Sequence, residues 1–316
     1  MTTERDAEPG ASSPTNETLS FAGHEGFALR YGWLKKCVDA VESASEFFAR
    51  EDAVVRLGVG KNMVRAVRHW GLVARVIEEV VGTRGRALRV TALGRQIFGE
   101  GGSDPYLEDP RTLWLLHWLI CTHPERATTW RWAFGVWGRA AFTRDELRAA
   151  LRGVARTGRA TDTTLARDVD VFLRTYLPAR ASRAAPLEDT LDSPLVELGL
   201  LRTDPVEGRF ELVRGPRPSL DDGTLGFAVL DFWERAAPHS ETLHVDDLAH
   251  GPGAPGRVFG LDDRSLHERL EYAEAWSRGH LLYDQTAGLR QLRRARRVDA
   301  LAWLERARAR GAEGTT

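Results

Sequence analysis

His24 stands next to Glu25 in the stretch FAGHEGFALRYGWLKK (residues 21–36), and Arg30, Lys35 and Lys36 follow within it. An imidazole exchanges protons near neutral pH, a guanidinium neutralises phosphate oxygens, and ammonium groups add point charge; phosphodiester hydrolysis uses all three roles. His24, Glu25 and Arg30 are therefore candidate catalytic residues, with Lys35 and Lys36 as candidate nucleic-acid contacts. The pattern is loose. No second His or Asp follows at helical spacing, and a loop rich in glycine and aromatics serves equally well as a packed brace.

A second set is sharper. In KNMVRAVRHW, Lys61, Arg65 and Arg68 fall at i, i+4 and i+7 and share one helix face, with Asn62 and His69 at its edges. Met63, Val64, Val67 and Trp70 form the opposite, apolar face. A helix that is apolar inward and cationic outward suits the major groove, where Arg and Lys meet phosphate or guanine and Asn pairs with adenine. Arg84 and Arg86, in the turn sequence GTRG and just after it, add expected contacts to backbone or minor groove.

The elements that must position these groups follow from periodicity and punctuation. Residues 31–49 have helical spacing, Asp52–Leu57 is a short helix stopped by Gly58-Val59-Gly60, and Lys61–Trp70 is a third helix closed by Gly71. The β-branched runs VARVIEEV and ALRV flank GTRG and predict a hairpin, after which Thr91 caps a helix through Phe98. Helix, helix, turn, helix and hairpin make a winged helix-turn-helix. The scheme returns in TLARDVDVFLRTYL with SPLVELGLLRTDPVEGRFELVR, turning at Asp204 to Gly208, and again near SLHERLEYAEAWSRGHLLYDQTAGLR. Between the first two copies, DPYLEDPRTLWLLHWLICTHPERATTWRWAFGVW is rich in tryptophan and apolar nearly all round, a central core. The expected class is mainly α with small β-wings (α+β), as repeated winged helix-turn-helix units around a tryptophan-rich helical core. Its parts are a disordered tail at 1–20, an N-terminal winged unit at 21–103, a central helical domain with a second wing at 104–220, and a winged-helix-like domain with a basic terminal helix at 221–316.

Other constellations are weaker. Asp104, Glu108 and Asp109, or Glu188, Asp189 and Asp192, could hold Mg2+ if the fold joined them, yet Asp109-Pro110 also reads as a helix cap and first helical residue. The histidines of HSETLHVDDLAH are better explained by a capped helix start. Walker A, dinucleotide-binding glycine, Gly-x-Ser-x-Gly and paired Cys-x-x-Cys patterns are all missing, which argues against nucleotide-driven and covalent serine chemistry. Cys37 and Cys121 lie in apolar helical patterns and are expected as buried thiols. The net charge of -1 over 316 residues is uninformative, but from Arg290 to Arg310 arginines far outnumber acids, which suits phosphates. Without an apolar span or leader pattern, the cytoplasm is expected, with no membrane contact.

Taken together, GHEGFALRYGWLKK, DAVVRLGVGKNMVRAVRHWGLV, DPYLEDPRTLWLLHWL, TLARDVDVFLRTYL and LDSPLVELGLL resemble the SspB-type family of DNA phosphorothioation defence systems, over roughly residues 21–290. The resemblance implies action on DNA beside a cysteine desulfurase, an ATPase and a sulfurtransferase-like protein, with nicking of one strand so that sulfur enters the backbone. It carries over His24, Glu25 and Arg30 as members of a motif. Were hydrolysis metal-assisted, His24 and Glu25 would hold Mg2+ or Mn2+ with distant acids such as Asp52 or Asp104, while Arg30 and Lys35 stabilise the pentavalent phosphate. The rival readings are a non-catalytic DNA-binding recruitment subunit and a winged-helix transcriptional regulator.

Overall fold

The structure, a computed structural model, describes residues 19–155, 160–179, 192–204, 206–286 and 288–313. The tail expected at 1–20 falls almost wholly outside them, as do Glu188 and Asp189. The described chain is mixed α+β, about half helical, with small antiparallel sheets.

The N-terminal part runs α1 (Trp33–Ser43), α2 (Ala53–Leu57), α3 (Lys61–Val73), β1 (Ile77–Glu79), β2 (Leu88–Val90) and α4 (Ala92–Phe98). Gly58 stops α2 at φ 66°, a left-handed conformation that costs glycine little. The Thr91 hydroxyl caps α4 by accepting the Gly94 N–H at 3.0 Å. Two boundaries differ from expectation. The first helix ends at Ser43 and resumes only as a 3-10 turn, Phe47–Ala49; between them Ser45 turns its carbonyl out of the helix to accept the Leu88 N–H at 2.8 Å. The third helix runs through Gly71 instead of stopping there, because the missing side chain lets α1 approach: a Cβ on Gly71 would lie 2.4 Å from Cys37 Sγ. Tertiary packing overrides the local stop signal.

The central part is built on α5 (Pro110–Cys121), whose residues from Thr112 to Cys121 are all buried. Asp109 caps it, accepting the Arg111 N–H at 2.9 Å. After the short helix α6 (Thr128–Trp130) and a π-helical turn, Arg131–Val136, come β3 (Ala141–Phe142), α7 (Arg144–Val154), α8 (Asp162–Tyr176), β4 (Leu201–Asp204) and β5 (Arg209–Leu212). The C-terminal part runs α9 (Asp222–Ala236), β6 (Thr242–His244), α10 (Val245–His250), α11 (Pro255–Val258), α12 (Asp263–Glu271), α13 (Ala273–Ser277), β7 (Leu281–Thr286), β8 (Leu289–Arg294) and α14 (Ala300–Glu313). The two three-stranded sheets share one topology: a strand, then helices, then a hairpin whose last strand pairs with the first, giving β3-β5-β4 and β6-β8-β7. The HSETLHVDDLAH stretch supplies β6 as well as helix α10, and His244 precedes α10 without a side-chain cap.

His117 knots α5 to its neighbours. Its Nδ1 lies 2.8 Å from the Tyr176 hydroxyl on α8, and its Nε2 2.7 Å from the Val258 carbonyl on α11. The carbonyl can only accept, so Nε2 carries the proton and Tyr176 donates to Nδ1. The basic terminal helix is less solvated than its composition suggests: Trp303 donates to the Gly223 carbonyl of α9 at 2.8 Å, and Arg308 reaches inward to Thr112 Oγ1 at 3.4 Å. Among the described residues no helix is long and apolar enough to cross a membrane.

Packing of α4 gives a test. A Cβ on Gly94 would lie 2.1 Å from the Val76 carbonyl oxygen, backbone that cannot swing aside. Gly94→Ala should destabilise the protein by roughly 1–3 kcal/mol in urea unfolding, although alanine is the better helix former by about 1 kcal/mol.

Candidate nucleic-acid interface and its buried support

The loop of residues 21–32 approaches α3 from behind. His24 is 1% exposed, and both its ring nitrogens are engaged within the protein. The Gly26 N–H donates to Nδ1 at 3.0 Å, which leaves the proton of the neutral ring on Nε2, and Nε2 donates to Asp168 Oδ1 at 2.7 Å. Asp168, on α8 and equally buried, also accepts the Ala22 N–H at 2.6 Å and the Thr129 hydroxyl. Two further bonds seat the loop: Trp70 Nε1 donates to the Phe27 carbonyl at 3.0 Å, and Arg174 to the Gly26 carbonyl at 2.7 Å. The rings of His69 and Trp130 pack edge-on against His24, and Trp70 packs edge-on against both of them. A side chain on Gly23 would meet His69 Nδ1 at 2.4 Å. His24 therefore sits where a brace sits, with no ring nitrogen left for solvent.

Glu25 and Arg30 lie outside this knot. Glu25, at φ 52°, brings its carboxylate 3.6 Å from Arg65 Nη1. The Arg30 guanidinium lies 5.5 Å from the centres of both the Phe27 and Trp33 rings. Arg30 and Lys36 line a concavity of about 340 Å³ together with Tyr31, Met63 and the Gly58-Val59 turn. Lys35 pairs with Asp39 one turn along α1.

On α3, Lys61, Asn62 and Arg65 are exposed, while Val64, Ala66, Val67 and Trp70 are buried. Arg68, assigned to the same outward stripe, and His69, assigned to its edge, are not fully exposed there. His69 is buried, because one residue beyond Arg68 the 3.6-residue repeat swings it toward the residue 21–32 loop and Trp70. Arg68 is drawn into the hairpin, donating to Glu79 at 2.9 Å and to the Gly85 carbonyl at 3.0 Å. Arg84 and Arg86 are exposed in the β1–β2 turn, Arg86 lying 3.7 Å from Glu46.

The acids offered as metal ligands have other work. Asp52 bonds Arg50 at 2.8 Å and Arg56 at 2.7 Å, and these arginines hold its carboxyl well below the usual carboxylate range. Asp104 accepts the Glu108 and Asp109 N–H groups at 2.8 and 3.2 Å. Asp192 accepts the Ala179 N–H. Among the described residues no group of three His, Cys, Asp or Glu could hold a metal ion, and His24, Asp52 and Asp104 spend their polar atoms on the hydrogen bonds described above.

The residues that complete the knot, Asp168 and Thr129, carry no signal in the sequence; Asp168 follows His24 by 144 positions and sits in an ordinary amphipathic helix. Removing it should strand three interior donors, on Ala22, His24 and Thr129. Asp168→Ala is expected to cost about 3–5 kcal/mol in urea unfolding, with Asp168→Asn restoring part of that loss.

Burial also sets a pH dependence. Desolvation, with the nearby Arg126 and Arg68 adding to it, pushes the His69 pKa from 6.5 down to about 3. For His117 desolvation lowers it to about 4 against the opposing Val258 hydrogen bond. Unfolded, both rings titrate at about 6.5, so below that pH the unfolded chain binds protons that the folded protein refuses. Stability is complete above about pH 6.5 and falls as the pH drops toward 4, by up to about 1.4 kcal/mol per pH unit for each ring. Urea unfolding across that range checks it, and His117→Phe should flatten the dependence by about one proton.

Comparison with known proteins bears on the whole chain. No curated protein matches the sequence. Two crystal structures of SspB do: one with magnesium bound, at 30% identity and TM-score 0.80, and a second at 31% identity and TM-score 0.79. Each match covers 94% of this chain and 98% of the other. Residues 21–307 match the model of a protein family of unknown function, DUF4007. The chain therefore belongs to the DUF4007 family, as one of its SspB-type members.

Proposed function

We propose that this protein is the DNA-binding component of a phosphorothioation defence system, and that it nicks one strand so that a sulfur-inserting partner reaches the backbone. The observation that carries the reading is the asymmetry of α3: Lys61, Asn62 and Arg65 face solvent from a helix whose other side is core. On this reading α2, α3 and the β1–β2 hairpin act as a winged helix, with α3 in the major groove and Arg84 and Arg86 on backbone or minor groove. The repeated strand order of the two larger sheets supports further winged-helix units. Similarity to SspB over nearly the whole chain supports the assignment to such a system. The implied setting is cytoplasmic, beside a cysteine desulfurase, an ATPase and a sulfurtransferase-like protein.

Within the nicking proposal His24 acts as a positioning residue, holding Glu25 and Arg30 against α3 while the strand lies outside. A second reading, recruitment of the modification proteins without cleavage, is favoured by one observation: both His24 nitrogens are spent inside the protein.

Supercoiled plasmid separates the two readings, with and without magnesium, the ion bound in one SspB structure. Nicking yields relaxed circles with the wild type, and Glu25→Ala or Arg30→Ala should slow their appearance by about 10-fold or more. Recruitment yields binding without relaxation. In either case Lys61→Ala with Arg65→Ala should weaken duplex binding and flatten the slope of log affinity against log salt by about 2. Wild-type protein that binds no duplex at low salt would refute both.

A further inference from the structure

The groove between the β1–β2 hairpin and the loop after α5 brings together chemistry from three distant parts of the chain. It encloses about 520 Å³ and is lined by Arg75 from the turn after α3, Glu79 from β1, His123 and Arg126 from the loop after α5, and Arg235 from α9. The cations are held in place. Arg75, at φ 55°, donates to the Thr122 carbonyl and hydroxyl at 2.9 and 3.2 Å and lies 3.9 Å from Asp231. A non-glycine residue at such a φ is retained at a cost in backbone strain. Arg235 lies over the Trp118 ring and 3.3 Å from Asp231.

His123 is the uncommon member. Its Nδ1 accepts the Glu125 N–H at 3.2 Å, so the neutral ring has its proton on Nε2 and presents a donor. Burial, then Arg75 and Arg126, depress its pKa from 6.5 to about 4. The nearby acids are already bonded: Glu78 to Arg89 at 2.7 Å, Glu79 to both Arg68 and Arg126, and Asp231 to the Trp118 N–H at 2.9 Å as well as to Arg235. Glu125 is exposed on the rim. A neutral imidazole donor flanked by fixed guanidinium groups matches an oxyanion.

We propose that this groove binds a phosphate group through the Nε2–H of His123 and the guanidinium groups of Arg75 and Arg126. Its place in the fold names the source. Arg126 and Arg68 share one oxygen of Glu79, at 3.0 and 2.9 Å, so the groove continues the cationic side of α3. A DNA strand crossing α3 brings its phosphates there, and to that extent the inference rests on the DNA-binding reading.

The test uses full-length protein with labelled histidines, following the His123 ring by NMR. Inorganic phosphate and a duplex carrying one nick with a 5′-phosphate are titrated separately, and duplex affinity is read by fluorescence anisotropy. Phosphate should shift the His123 signal. His123→Ala and Arg126→Gln, both on a surface loop, should each weaken phosphate binding by roughly 10-fold or more, the loss of a hydrogen bond to a charged group. The Lys61→Ala, Arg65→Ala double variant should lose duplex affinity and keep the phosphate response. A wild type that binds duplex but shows no phosphate response, or variants that bind phosphate as tightly as the wild type, overturns the site. A phosphate response without duplex binding supports the site and removes the strand as its source.

Discussion

A buried carboxylate needs donors on every side, and Asp168 collects its donors from two segments that are far from it in sequence. The Ala22 N–H and the His24 Nε2–H come from the N-terminal loop, and the Thr129 hydroxyl comes from α6. That requirement fixes where the loop runs. With His24 pinned, the next residues have little freedom: Gly23 lies flush against His69, Phe27 takes the Trp70 indole N–H, and Glu25 emerges beside Arg65. The back of α3 is thus held by the loop and by Trp130, and the cationic front is a consequence of that anchoring.

The same solution appears at His117, deeper in the core. There too one ring nitrogen donates and the other accepts, to Val258 and from Tyr176, so a neutral histidine joins three helices without a charge to solvate. Arg75 makes a third link, from the end of α3 to Thr122 and Asp231. These polar ties make the relative placement of the N-terminal, central and C-terminal parts specific, where hydrophobic burial alone would tolerate sliding.

Local chemistry was readable from the sequence; long-range pairing was not. The cap at Thr91, the cap at Asp109 with Pro110 behind it, the stop at Gly58 and the hairpin turn at Asp204 to Gly208 each depend on residues a few positions apart, and each is present. Gly71 shows the limit: glycine signals a stop only when nothing needs the space it leaves, and Cys37 needs it. Helical periodicity placed Lys61 and Arg65 correctly but left His69 at the edge of a stripe, and an edge residue goes to whichever side offers it a contact. For His24 the local pattern allowed either base or brace. The deciding partner lies on α8, and Asp168 looks there like any polar residue on an amphipathic helix.

The cationic face is also less charged at rest than the spacing of Lys61, Arg65 and Arg68 suggests. Arg68 serves Glu79 and the Gly85 carbonyl, and Arg65 faces Glu25. Such exposed pairs are worth only about 0–1 kcal/mol, so exchanging Glu25 for a phosphate at Arg65 meets little resistance. Arg68 is different, since leaving the hairpin would break two hydrogen bonds and free Glu79, whose other arginine neighbour is Arg126. On the proposed reading, then, DNA engages Lys61 and Arg65 directly, while Arg68 contributes by setting the angle of the hairpin and, through Glu79, the position of Arg126. On that reading Arg65 and Arg68, one turn apart on the same helix, have different jobs, and what separates them is whether the carboxylate partner is carried on a surface loop or anchored in a strand.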